Sequence, residues 1–201
     1  VPQSDAECNI WVGIRAAATR PWKVARRYPK TGRWTFWDIP HRGAQPYETS
    51  IDKDGNIWYT GNAAGLIGKL DPKTGQVTEY KMPDAAARDP HTPIFDRNGT
   101  LWFTVQGGNF VGKLDPKTGQ VTLKQAPPRS APYGIVVMSN GTPVFDLFRT
   151  NKIGTINPQT MEITEYTLPE GARPRRIAVD RHGLVWYTDY ARGYIGRLDL
   201  K

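Results

Sequence analysis

The 201-residue chain predicts an all-β fold, a β-propeller built from four-stranded blades of about 42 residues, and three observations carry that expectation. Seven Trp, nine Tyr, 20 Gly and 17 Pro supply aromatics for pleated strands and turn formers for the links between them. The string GKLDPKTGQVT occurs twice, from Gly68 and from Gly112. It lies inside a longer unit, because Pro46, Pro90, Pro132 and Pro174 are spaced by 44, 42 and 42, as are Gly68, Gly112, Gly154 and Gly196. A period of that length containing several short strands marks a propeller blade rather than a helical repeat.

Residues 45–83 show the unit in full. YETSID forms a first strand, KDGN turns, IWYTG forms a second, LIGKLD a third, PKTG turns again, and QVTEYKM forms a fourth. Asp54-Gly55, Asn98-Gly99 and Asn140-Gly141 provide the positive φ of a tight hairpin, and His182-Gly183 fills the same slot. In DPKTG, Pro72 presets φ, Asp71 accepts backbone bonds and Gly75 supplies a left-handed residue, so the repeated string is hairpin chemistry. Residues 89–127 and 131–169 repeat the unit, and 173–201 repeats it as far as RLDL. Residues 9–40 are an incomplete copy: NIWVGI matches a second strand, WKVARRYPKTGRWTFWDIP a third and fourth, AAATRP at 16–21 lengthens the link, and no clear first strand precedes them. The resulting eighteen strands fall short of the roughly twenty of a closed five-bladed ring. The chain is expected to be an open arc, part of a longer six- or seven-bladed protein that is monomeric when whole.

Composition narrows the partners. No apolar run approaches the roughly 20 residues that span a bilayer, so no membrane segment is expected, and the opening VPQSDAECNIWV has neither Met nor a basic leader to indicate a compartment. The single Cys8 can form no internal disulfide and no cysteine metal pair. The net charge of +8 is spread as Lys and Arg over repeated turns, as at Lys69, Lys73, Lys113 and Lys117, and no stacking-plus-basic module is evident, so nucleic acid is not expected as a partner.

In a propeller the residue after each proline and the loop after each Trp strand meet at one mouth of the central channel. The post-proline column is Tyr47, His91, Tyr133 and Arg175; the pre-proline column is Gln45, Asp89, Ala131 and Arg173. The post-Trp loops add Asn62, Gln106, Phe148, Asp189 and Tyr190. An imidazole titrates near neutrality, so His91 is a candidate general base. Arg173, Arg175 and Arg176 suit carboxylates or phosphates, although an ion pair with Asp189 would account for them equally. Tyr47 and Tyr133 offer phenolic donors or a stacking surface. His41 in a linker and His182 in a hairpin are read as structural, and Trp58, Trp102 and Trp186 as packing between blades, with Val144 in the equivalent place.

The unit, with its D-x-x-G-x-[ILV]-W-[FY]-T and [IV]-G-[KR]-L-D-P-x-T-G cores, resembles the streptogramin B lyase (virginiamycin B lyase) family from Asn9 onward. The resemblance implies a seven-bladed propeller from bacterial antibiotic resistance that linearises a cyclic depsipeptide by elimination at its ester, with Mg2+. It places histidines directly after the innermost-strand proline and a glutamate pair near the metal. DPHTPIF matches that spelling with His91 and, before it, Asp89, while Tyr47 and Tyr133 stand where a second histidine would be. The resemblance implies a lyase-like protein with His91, Asp89 and Tyr47 as catalytic residues and Tyr133, Arg175, Gln106 and Asp189 as contacts to a small-molecule or cyclic peptide ligand. The metal ligands are not identified. The alternative is a non-catalytic propeller that binds a small ligand or a protein partner at the channel mouth.

Overall fold

Hydrogen-bonded hairpins repeat through the computed structural model, which describes residues 2–14 and 22–200. The first sheet is β1 (Gln3–Ser4), β2 (Ile10–Ile14), β3 (Lys23–Arg27) and β4 (Trp34–Asp38). The second is β5 (Pro46–Ile51), β6 (Ile57–Gly61), β7 (Leu66–Leu70) and β8 (Val77–Lys81). The third is β9 (Pro90–Phe95), β10 (Leu101–Val105), β11 (Phe110–Leu114) and β12 (Val121–Gln125). The fourth is β13 (Pro132–Val137), β14 (Pro143–Leu147), β15 (Lys152–Ile156) and β16 (Ile163–Thr167). The fifth has three strands, β17 (Pro174–Val179), β18 (Val185–Asp189) and β19 (Tyr194–Leu198). All pairings are antiparallel between neighbours in sequence, which is the up-and-down order of a propeller blade. No helix among the described residues is long and apolar enough to cross a membrane.

The first unit differs from the sequence expectation, because β1 is a genuine though two-residue innermost strand paired with β2. Its turn was hidden by Cys8, which adopts φ 62 where the other units have Gly55, Gly99, Gly141 and Gly183 at φ 81 to 88. The link AAATRP at 16–21 lies outside the described residues.

What fixes each inner hairpin is an aspartate six residues before the tryptophan. The Asp52 carboxylate accepts the backbone N–H groups of Asp54 and Asn56 through one oxygen, and the Trp58 indole N–H at 2.9 Å through the other. Asp96 serves Asn98, Thr100 and Trp102 in the same way, Asp180 serves His182, Leu184 and Trp186, and Asp5 serves Glu7, Asn9 and Trp11. One side chain thus satisfies the turn and orients the ring that packs between blades. The fourth unit has Met138 and Val144 at these two positions and no such hub.

The glycine of the repeated string has a steric reason. It lies directly across from an aromatic of the second strand, Tyr59 opposite Gly68 and Phe103 opposite Gly112. A Cβ there would run into the ring, so glycine is what lets the aromatic fold flat across the third strand.

Blades pack in chain order: β2, with β1, packs on β5, and the innermost strands then follow one another, β5 on β9, β9 on β13 and β13 on β17. Trp58, Trp102 and Val144 are buried to 1% or less by the following blade. On the fifth sheet, which no following blade covers among the described residues, the equivalent Trp186 is 38% exposed and Ile195 is 73% exposed.

Replacing Asp96 with Ala removes the partner of a buried indole N–H and of two turn amides. The expected loss is about 2–4 kcal/mol, read by denaturant unfolding.

Candidate functional site

The channel mouth is shaped by one β-bulge in each complete inner hairpin. Pairing slips between Pro46 and Thr49, between Pro90 and Pro93, between Pro132 and Ile135, and between Pro174 and Ile177. Two residues of the innermost strand therefore oppose one of its partner, which bends the strand and re-aims its side chains. The bulged pairs are Tyr47-Glu48, His91-Thr92, Tyr133-Gly134 and Arg175-Arg176. The opposing residues are Thr60, Thr104, Asp146 and Thr188, and each accepts the amide that the bulge frees: Glu48, Thr92, Gly134 and Arg176 donate at 2.9–3.3 Å.

The threonine hydroxyls also reach forward to the next blade. Thr60 donates to the His91 carbonyl at 2.9 Å and Thr104 to the Tyr133 carbonyl at 2.5 Å. On the outer side of the prolines the mouth loops close onto the pre-proline carbonyls, with Asn62 on Gln45, Gln106 on Asp89, Phe148 on Ala131 and Tyr190 on Arg173.

Of the predicted residues, the structure gathers Tyr47, His91, Tyr133 and Arg175. His91 is 2% exposed, between the rings of Tyr47 and Tyr133 at centroid distances of 4.3 and 3.8 Å. Its Nδ1 lies 3.0 Å from the Thr92 hydroxyl and 4.0 Å from a Glu48 oxygen. The Tyr47 and Tyr133 hydroxyls meet at 3.3 Å, and Arg175 donates to the Tyr133 hydroxyl at 3.4 Å. Burial, followed by the hydrogen bond to and proximity of Tyr133, pushes the Tyr47 phenol up to about 12, so it stays protonated. The Arg175 guanidinium lies over Tyr133, Phe148 and Tyr190 at 5.2, 5.7 and 4.9 Å, forming a cationic aromatic shelf at the mouth.

Other candidates are engaged elsewhere. The Asp89 carboxylate accepts the Asn62 amide, and its backbone is left-handed at φ 66. The ion pair anticipated between Asp189 and the arginines of β17 is not formed. Asp189 bonds Arg192 of its own turn at 2.8 Å and caps the amides of Arg173, Ala191 and Arg192, because a partner three residues away reaches it more easily than one on another strand. Gln106 lines a groove between the third and fourth blades rather than the His91 cluster. His41 accepts the amide of Gly43, and His182 takes a bond from Arg181 in its hairpin.

Sequence reasoning missed two participants, Glu48 and Asp146, and did not foresee the partner of Arg176. Arg176 donates to Glu48 at 2.6 Å across the channel, joining the fifth blade to the second, and Glu48 is 4% exposed. Asp146 is fully buried and its Oδ1 makes no hydrogen bond among the described residues. Burial pushes its carboxyl well above 3.8 and Glu48 adds to that, against the Gly134 amide, Arg176 and Arg175. The available signal was the column Thr60, Thr104, Asp146, Thr188, in which one acid replaces a hydroxyl. Among the described residues no group of three or more His, Cys, Asp or Glu side chains could hold a metal ion.

Comparison with known proteins follows from this geometry. The family described as the virginiamycin B lyase family matches residues 6–201, and the chain belongs to it. Virginiamycin B lyase from Staphylococcus aureus, as its selenomethionine form, is 28% identical with a TM-score of 0.88 over 98% of this chain and 65% of that one. A catalytically inactive histidine-to-alanine form of the Staphylococcus aureus enzyme with quinupristin is 26% identical with a TM-score of 0.88, covering 99% and 66%. A streptogramin B lyase structure is 28% identical with a TM-score of 0.86, covering 99% and 64%. The chain thus spans just under two thirds of the length of these enzymes. No curated protein matches it.

Asp146 gives a pH test. An acid raised on folding holds its proton in the native state over a range where the unfolded chain has lost it. Its contribution is fully present below the unfolded value and is lost as pH rises through the folded value. Stability should therefore fall with rising pH from about pH 4 upward, and Asp146→Thr should flatten that part of the urea-unfolding profile.

Proposed function

We propose that this member of the virginiamycin B lyase family binds a ring-shaped, peptide-like ligand with an aromatic or acidic group at its channel mouth. The observation that carries the reading is the Arg175 shelf, a guanidinium set over Tyr133, Phe148 and Tyr190 beside a pair of phenols. Such a surface stacks a planar group and pairs a carboxylate through the same side chain. Titration of the 201-residue chain with quinupristin should give saturable heat, weakened about tenfold by Arg175→Ala. Failure of quinupristin to bind, or equal binding by the variant, would remove the shelf from the reading.

A second reading is elimination of the streptogramin B lyase type, favoured by the placement of His91 directly after Pro90 and by the family itself. His91 would take the acidic α-proton; the C–H pair would become a C=C bond as the ester C–O bond breaks and a carboxylate leaves, with no water consumed. Tyr47, held protonated, would donate to the developing oxyanion, and Arg175 would receive the leaving carboxylate. Asp89 supports the loop before Pro90 through its carbonyl and its bond from Asn62. Magnesium is the cofactor the family implies; the acids described here form no cluster that fits it, and no step is assigned to it. Because His91 lies beneath the two tyrosines, this chemistry requires them to part. Liquid chromatography with tandem mass spectrometry distinguishes the readings: elimination gives a linear isomer of unchanged mass with a new retention time and a linear fragment series, which His91→Ala abolishes, whereas binding alone returns intact cyclic quinupristin with either protein.

A further inference from the structure

Beside the channel, three arginines occupy mouth positions where the corresponding residues of neighbouring blades are small. Arg149 aligns with Gly107 and Ala191, and Arg173 aligns with Ala131. Arg129 aligns with Gly171, the fourth residue of the same loop after the fourth strand. Gly171 has φ 78, and Arg129 is held at φ 59, a left-handed conformation that disfavours any side chain. Asn109 enforces this shape: its side chain donates to the carbonyls of Ala126 and Pro127 and accepts from the Ser130 hydroxyl and the Ala131 amide. An arginine kept strained in a rigid, exposed loop points toward function rather than packing.

All three line adjacent grooves. One, of about 360 Å³, contains Arg129 and Arg149; the other, of about 470 Å³, contains Arg149 and Arg173 together with Phe148 and Tyr190. Neither groove is lined by Asp or Glu among the described residues. None of the three arginines forms an ion pair with a described carboxylate, in contrast to Arg176 and Arg192. Three arginines in two grooves, with Arg149 common to both, suit a ligand carrying more than one anionic group.

We propose that these joined grooves form a site for a multiply charged anion, an oligophosphate or a polycarboxylate, beside the channel mouth, sharing Phe148 and Tyr190 with the Arg175 shelf but using other cations and independent of the elimination chemistry. The variants that test it are drawn from the repeats themselves, so each puts a residue where a sister blade already carries it. At about 0.15 M salt, isothermal titration with inorganic tripolyphosphate and, separately, with citrate should show saturable binding of at least one. Arg149→Ala and Arg173→Ala should each weaken it about tenfold, and together they should abolish it. Arg129→Gly should weaken binding while raising the melting temperature, since glycine relieves the strain; a purely structural arginine would not give that opposed pair. Saturation by tripolyphosphate alone assigns phosphates, and saturation by citrate alone assigns carboxylates. Binding by neither, equal binding by the double variant, or a lower melting temperature for Arg129→Gly would overturn the proposal.

Discussion

Everything at the mouth depends on how the arc satisfies one backbone amide per blade. A bulge in the innermost strand leaves an N–H without its ladder partner, and a buried amide left unpaired costs about 1–3 kcal/mol. A threonine hydroxyl opposite the bulge answers this, because it can accept from that amide and donate onward. In the second and third blades the donated bond lands on the innermost strand of the next blade, so the group that repairs the bulge also fixes the spacing between blades. The bulge is what turns two adjacent side chains of each strand toward the channel. Scaffold and site are therefore one construction.

The fourth blade departs from this scheme twice. Its hub aspartate and tryptophan are replaced by Met138 and Val144, and its bulge is served by Asp146 in place of threonine. A carboxylate can accept from Gly134 but cannot donate to a carbonyl; a neutral acid can do both. Its surroundings favour that form, with full burial and Glu48 nearby. Gly134 is part of the same adjustment, since a Cβ at that position would stand 2.6 Å from an Asp146 oxygen. The blade with the altered bulge also presents Tyr133 to His91, so the departure sits inside the cluster and not at the rim.

Much of the fold was legible because its signals are local. Asp-Pro and Asn-Gly turns, prolines at fixed spacing and glycines opposite aromatics each act within one hairpin. The first strand escaped notice because Cys8 occupies a glycine position and the strand is two residues long; the six-residue step from Asp5 to Trp11 would have revealed it. At the mouth, the column of Tyr47, His91, Tyr133 and Arg175 could be read from the proline spacing alone. The partners could not, because Glu48 with Arg176 and Tyr47 with Tyr133 meet across the channel, between blades far apart in sequence. For Asp189 the error ran the other way: a partner on another strand was expected, when a closer arginine lay in its own turn.

Backbone strain gives an independent measure of where this arc is under constraint. Among the described residues, seven that are not glycine have positive φ: Cys8, Gln45, Asp89, Asn109, Arg129, Ala131 and Met161. Five of these, from Gln45 to Ala131, lie in the loops that form the mouth, and only Cys8 and Met161 lie in hairpins elsewhere. Each left-handed residue costs roughly 1–2 kcal/mol, so the mouth holds most of this strain, whereas four of the five inner-hairpin turns use glycine, Gly55, Gly99, Gly141 and Gly183. Three of the five directly precede an innermost-strand proline, and their carbonyls receive the amides of the mouth loops. Those bonds hold the loops over the channel, so the strain at Ala131 serves to bring the Phe148 loop against the Arg175 shelf. A scaffold indifferent to its mouth would have placed glycine at these positions, as it does at Gly55 and Gly99.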